Sequence, residues 1–218
     1  MFRLEKVSMK RRLLGQWAAG AVLAVAATFN AMAADEAPDA LVKRISTDVL
    51  STIKADKTLQ QGNVAKVMVL VDAKIMPNVD FARMTSSAVG PGWRQATPEQ
   101  QKKLQDEFKT LLVRTYSGAL AQVSDQEVSM KPFRASPDDK EVLVRSEVKG
   151  GGDPIQLDYR LVKTPGEGAG WKIYNLNVLG VWLVETYRSQ FASEINAKGV
   201  DGLIASLAAR NQANAKKN

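Results

Sequence analysis

Few residues of this 218-residue chain could do covalent or proton-transfer chemistry. It contains no cysteine and no histidine. That removes the thiolate, the disulfide, and the commonest general base and metal ligand. A Ser-His-Asp triad, a Cys-His dyad and a zinc site of the usual kind are excluded. Carboxylates, tyrosines and arginines remain. Asp138-Asp139 is a carboxylate pair, but it follows Ser136-Pro137, the composition of a solvated turn. Tyr116, Tyr159 and Tyr187 could act as acids. None has an evident partner, and tyrosines of this kind more often fill a core with a polar tip. Asp158 could be a base, yet it falls on the polar parity of its strand. Gly166-Glu167-Gly168-Ala169-Gly170 is glycine-rich but lies between two strands, whereas a phosphate cradle needs a following helix N-terminus. Arg188 could grip a phosphate with two parallel donors or pair with a surface acid.

Stepping out from these residues, 45% apolar content and this length suit one globular domain. The formal charge of +7 is weighted to the start of the chain. Arg3, Lys6, Lys10, Arg11 and Arg12 stand against Glu5 there; the remainder holds 25 basic and 22 acidic residues, a net of +3. Those charges are interleaved. A nucleic-acid binder would concentrate them on one face, so no nucleic acid is expected as a partner.

Lys10-Arg11-Arg12 precedes an apolar, alanine-rich run from Leu13 to Phe29, and Ala31-Met32-Ala33 fits the small-x-small cleavage rule. Residues 1–33 therefore read as a signal peptide, with Met9 an alternative start. Gly15, Gln16 and Gly20 interrupt the run and weigh against an anchor. No later run reaches the ~20 apolar residues of a membrane span. The mature protein is expected in the periplasm.

The mature chain, expected as one α+β domain over 34–210, divides by periodicity. Leu41, Ile45, Val49 and Ile53 mark a first helix. Asp56 to Gly62 reads as a polar break. Val64, Val67, Met68, Val71 and Ile75 mark a second helix, ended by Pro77. Asp80 can cap a third holding Phe81, Met84 and Val89, stopped by Gly90-Pro91-Gly92. Thr97-Pro98-Glu99-Gln100 is a capping box for a fourth helix of about 25 residues, ~37 Å long. The period then changes to two. Val128 and Met130, Val142 to Val148, Ile155 to Leu161, and a run from Trp171 predict a four-stranded twisted antiparallel meander with one apolar face. About six helices wrap it. The last two span 183–197 and the stretch after Gly199, capped by Asp201. Residues 211–218 read as a disordered basic tail.

The most informative stretch is Trp171 to Phe191. It opens as a strand, becomes almost wholly apolar between Leu176 and Val184, and continues at helical spacing through Tyr187 and Phe191. It carries no catalytic chemistry and is built to form a wall. From the residues alone, the expected reading is that the sheet's apolar face packs on the helices as a solid core, because the periodicity is the same whether or not a hollow lies between them.

Trp171-Lys172-Ile173-Tyr174-Asn175, then Gly180-Val181, Leu183-Val184, Tyr187-Arg188 and Gln190-Phe191, resembles the signature of the MlaC family, also called the toluene-tolerance Ttg2 family. A second block agrees: Asp80-Phe81-Ala82-Arg83-Met84, Trp93-Arg94-Gln95-Ala96-Thr97-Pro98-Glu99, and Phe108 through Tyr116. The likeness spans about residues 40 to 207. Asn175, Leu179 and Trp182 depart from the residues usual in that family. The resemblance implies a periplasmic phospholipid carrier with no catalytic residue and no cofactor, holding a glycerophospholipid as cargo in a deep apolar pocket. It also implies docking to an outer-membrane lipoprotein–porin complex and to an inner-membrane ABC transporter with an MCE-domain subunit. The residues expected to line the pocket are Val142, Val144, Leu157, Tyr159, Ile173 and Val178 from the sheet. From the helices they are Phe81, Met84, Phe108, Leu112, Tyr116, Val181, Val184 and Tyr187. An enzyme on a cone-shaped scaffold, using Asp158 or Tyr159, and a periplasmic chaperone are the alternative readings.

Overall fold

The computed structural model describes residues 36–120, 122–150 and 152–215. The expected signal peptide and its cleavage site lie outside them. Among the described residues no helix is long and apolar enough to cross a membrane.

Helix α1, Pro38–Ala55, begins on a proline and buries Leu41, Val42, Ile45 and Ile53. Asp56 then accepts the backbone N–H of Thr58 at 2.8 Å and starts α2, Lys57–Gln60. Asn63 caps α3, Val64–Leu70, through the N–H of Lys66. That helix loosens into a π-helical turn at Val71–Ile75 and a 3-10 turn at Met76–Asn78, where Pro77 cannot continue the ladder. Asp80 accepts the N–H of Arg83 at 2.9 Å and opens α4, Phe81–Val89. Helix α5, Gly92–Gln95, follows. The capping box forms as expected: Gln100 N–H donates to Thr97 Oγ1 at 3.2 Å, and Thr97 N–H donates to Gln100 Oε1 at 2.9 Å. It starts the 23-residue α6, Pro98–Leu120.

The sheet is an antiparallel meander in chain order: β1 Glu127–Met130, β2 Glu141–Lys149, β3 Ile155–Lys163, β4 Trp171–Val178 and β5 Val181–Trp182. The expected count was four. Leu179 at φ 51° and Gly180 at φ 88° reverse the chain so that Val181 and Trp182 pair back onto Val178 and Asn177. A two-residue strand is too short to show a period. Helix α7, Leu183–Ala215, completes the fold and is broken at Gly199, φ 69°. Among the described residues there are seven α-helices rather than about six. Single turns α2 and α5 occupy stretches read as breaks, and the two expected C-terminal helices form one kinked element. Asp201 accepts the side-chain amide of Gln100 at 2.7 Å. The expected disordered tail is helical as far as Ala215. Buried Asn211 anchors it, donating to the Glu107 carbonyl at 2.9 Å and carboxylate at 2.7 Å.

Three apolar clusters result. Helices α4, α6 and α7 bury Phe81, Met84, Phe108, Val184, Tyr187 and Phe191 together. Helix α1 lies on the inner sheet face, with Leu41, Val42 and Ile45 against Val144, Tyr159, Leu161 and Ile173. The far end of α1, with α2, α3 and α6, closes over Ile53, Leu59, Val67, Leu70 and Val113. Val79 packs against the first two clusters, and the Asp80 N–H donates to the Ile173 carbonyl at 2.9 Å. That strap joins the helical layer to the sheet.

Candidate functional site

The inner sheet face is fixed by register. Val144 lies opposite Tyr159, Val142 opposite Leu161, and Ser146 opposite Leu157. A bulge at Arg160/Leu161 leaves Tyr174 without a partner across the ladder. Leu176 and Val178 therefore share the face of Tyr159 and Leu157. Val144, Tyr159 and Ile173 are buried there, while Val142, Leu157 and Leu176 are partly buried against them.

The remaining expected residues, Val181 apart, come from α4, α6 and α7. Phe81, Met84, Phe108, Val184 and Tyr187 are buried in one cluster, with Leu112 packed on its margin. Phe108 is the hub. Its ring centroid lies 5.8 Å from Phe81, 5.0 Å from Tyr187 and 5.3 Å from Phe191. Edge-to-face contacts with Tyr187 and Phe191 favour this arrangement over a loose pile of rings. The residues expected from sheet and helices thus fall into two separate apolar clusters. Tyr116, Val178 and Val181 belong to neither. Val181 was expected on a helix; it sits on β5 and is half exposed, because the reversal at Gly180 carries it to the end of the sheet.

Burial falls off along this face in one direction. On β3, Leu161 is 0% exposed, Leu157 is partly buried and Ile155 is 40% exposed. Leu179, beyond the end of β4, is 62% exposed. The apolar face therefore reaches solvent at the end carrying the β2–β3 and β4–β5 turns.

The reactive-looking residues have other places. Asp158 pairs across the sheet with Arg145 and Asn177, on the face opposite Tyr159, so the two cannot act on one substrate. Burial pushes the phenol pKa of Tyr159, Tyr187 and Tyr116 up, which keeps all three protonated. Asp139 holds the turn, accepting the Ser136 N–H at 2.7 Å. Gly166 to Gly170 form the β3–β4 turn, closed by Thr164 N–H donating to the Gly170 carbonyl. Arg188 donates to the Ser87 carbonyl at 2.8 Å and ties α7 to α4. Among the described residues no group of three or more acidic side chains gathers that could hold a metal ion.

Two braces on the outer sheet face were missed by sequence reasoning. Asn175 is buried and accepts the N–H of Val184 at 3.2 Å and of Leu176 at 2.9 Å. Its amide donates to Glu185 at 2.8 Å. Arg160 pairs with the same carboxylate and lies 4.0 Å above the Trp182 ring. Arg83, 3.8 Å over the Tyr174 ring, pairs with Glu141, which also accepts the Tyr174 hydroxyl at 2.7 Å. These braces hold α7 and α4 to the sheet. A signal was present: Asn175 and Asn177 are polar residues on the buried parity of β4.

Comparison with known proteins bears on this arrangement. Residues 43–209 match the sequence profile of the family described as MlaC protein. The toluene tolerance protein ttg2D of Pseudomonas putida is 29% identical over 195 residues, covering 88% of this chain and 85% of the relative. The intermembrane phospholipid transport system binding protein MlaC of Haemophilus influenzae is 23% identical over 176 residues, covering 80% of this chain and 82% of the relative. Among solved structures, a phospholipid-binding protein from Ralstonia solanacearum, in complex with a phospholipid, superposes with a TM-score of 0.77 at 53% identity. That match covers 81% of this chain and 98% of the other.

Proposed function

The chain belongs to the MlaC family, and from that premise we propose that it is a periplasmic carrier that takes the acyl tails of a phospholipid between its two apolar walls. The observation that carries the reading is the Ralstonia solanacearum structure, which at 53% identity and TM-score 0.77 is described as holding a phospholipid. Two apolar clusters, one on the sheet and one among the helices, supply the surface. Each buried methylene is worth about 0.8 kcal/mol, so two long tails represent tens of kcal/mol of gross transfer energy. Affinity of that size needs no headgroup motif. The tails enter at the end where Ile155, Leu179 and Val181 reach solvent, and the headgroup stays in water.

The carrier hydrolyses nothing. It exchanges lipid between an outer-membrane lipoprotein–porin complex and an inner-membrane ABC transporter with an MCE-domain subunit. Interleaved surface charge suits brief docking to two different partners. Extraction of the purified protein with organic solvent, followed by mass spectrometry, is expected to recover about one phospholipid per chain. A Leu157→Arg variant, which places a charge on the sheet wall, is expected to fold and recover little. Absence of phospholipid from the unaltered protein would overturn the reading.

A further inference from the structure

One group on the sheet wall does not fit a purely apolar surface. The Tyr159 side chain is 8% exposed and packed among Leu41, Val42, Ile45, Val144 and Leu161, where phenylalanine would fill the same space. Its hydroxyl therefore carries a desolvation cost unless well bonded. It is not well bonded. The contact to Ser46 Oγ on α1 is 3.5 Å, well beyond the ~2.8 Å usual for O–H···O pairs. Ser146, 1% exposed and also close to the phenol, is stretched in the same way: its Oγ donates to the Leu157 carbonyl at 3.4 Å. Three hydroxyls, from α1, β3 and β2, thus make a slack chain. Such a chain contributes little to stability. It does keep a protonated donor in a buried, weakly bonded place, where a hydrogen bond is strongest and an acceptor most discriminated.

A phospholipid brings one class of acceptor below its headgroup, the ester carbonyls that join acyl chains to glycerol. We propose that the Tyr159 hydroxyl donates to an acyl ester carbonyl of the cargo and makes the site selective for ester-linked over ether-linked lipid. Ser46 and Ser146 hold the phenol between cargoes. This rests on the carrier reading above and adds a specificity residue to it. The Tyr159 hydroxyl binds and positions; it breaks no bond.

The test is competitive loading. Protein stripped of lipid is incubated with vesicles containing equal amounts of diacyl and dialkyl-ether phosphatidylethanolamine of the same chain length. Bound lipid is then extracted and the ester-to-ether ratio read by mass spectrometry. The unaltered protein is expected to favour the ester lipid about fivefold, the worth of one neutral hydrogen bond. Tyr159→Phe is expected to take both lipids alike. Ser46→Ala, which leaves the donor in place, is expected to keep the preference. A ratio near one for the unaltered protein, or a preference that survives in Tyr159→Phe, would overturn the proposal while leaving the carrier reading standing. Recovery of neither lipid would remove both.

Discussion

The side-chain oxygen of Asn175 accepts the backbone N–H of Val184, 3.2 Å away, at the point where β5 passes into α7. A strand residue thereby caps the helix that carries Val184 and Tyr187 into the helical cluster. The same oxygen takes the Leu176 N–H, and the amide of Asn175 holds Glu185. Asparagine suits all three tasks because it both accepts and donates.

Replacing Asn175 by alanine takes this partner from the buried Val184 N–H and the part-buried Leu176 N–H. The expected loss is about 1–3 kcal/mol of unfolding free energy in urea titration. Asn175→Asp keeps the acceptor but sets a second carboxylate against Glu185, so it should fall between the two. A change below ~0.5 kcal/mol in Asn175→Ala would show that the cap is not holding α7.

The helix wall should behave as a packed unit around Phe108, which is fully buried against three other rings. Truncating it to alanine removes the hub and leaves a cavity. The expected cost is about 3–5 kcal/mol, read as a lower urea midpoint with an unchanged slope. A cost under ~1.5 kcal/mol would mean that the rings close over the gap and that the wall is soft.

Acid should loosen the braces. Hydrogen bonds from Arg83 and Tyr174 hold the Glu141 carboxyl below its ordinary 4.5. Burial pushes Glu185 up, but the bonds from Asn175 and Arg160 outweigh it and leave the net shift downward. For carboxyls lowered on folding, the stabilisation is complete above the unfolded value. It is lost as pH falls through the lower folded value. Thermal scans should therefore show a melting temperature that is flat near neutrality and declines below 4.5. Glu141→Gln should decline less steeply than the parent. Both brace carboxylates are substantially solvent-exposed, so the difference is modest.

How much of this was legible beforehand depends on the length scale of each signal. The capping box at Thr97 and the Asp80 cap are local chemistry and were readable from four residues each. The strands β2 and β3 were readable because their inner faces alternate over nine residues apiece. Strand β5 and helices α2 and α5 were not, since two or four residues carry no period. The sheet wall followed from parity. The half-exposed position of Val181 did not, because it depends on a reversal at Leu179 and Gly180 that only φ angles reveal. Asn211 was misread as tail because its partner, Glu107, lies more than a hundred residues away in the chain. Long-range pairing of that kind leaves no mark in a local window.

The central claim is that fatty chains lie between the sheet face and the helical layer. A phospholipid with a diazirine near the end of one acyl chain tests it most directly: load the protein, irradiate, digest, and map the labelled residues by mass spectrometry. The account predicts adducts on both walls, on Leu157, Leu176 or Val178 from the sheet and on Leu112 or Tyr187 from the helices. Labelling confined to the outer sheet face, around Arg145 and Asp158, or to the exposed surface of α1, would contradict it.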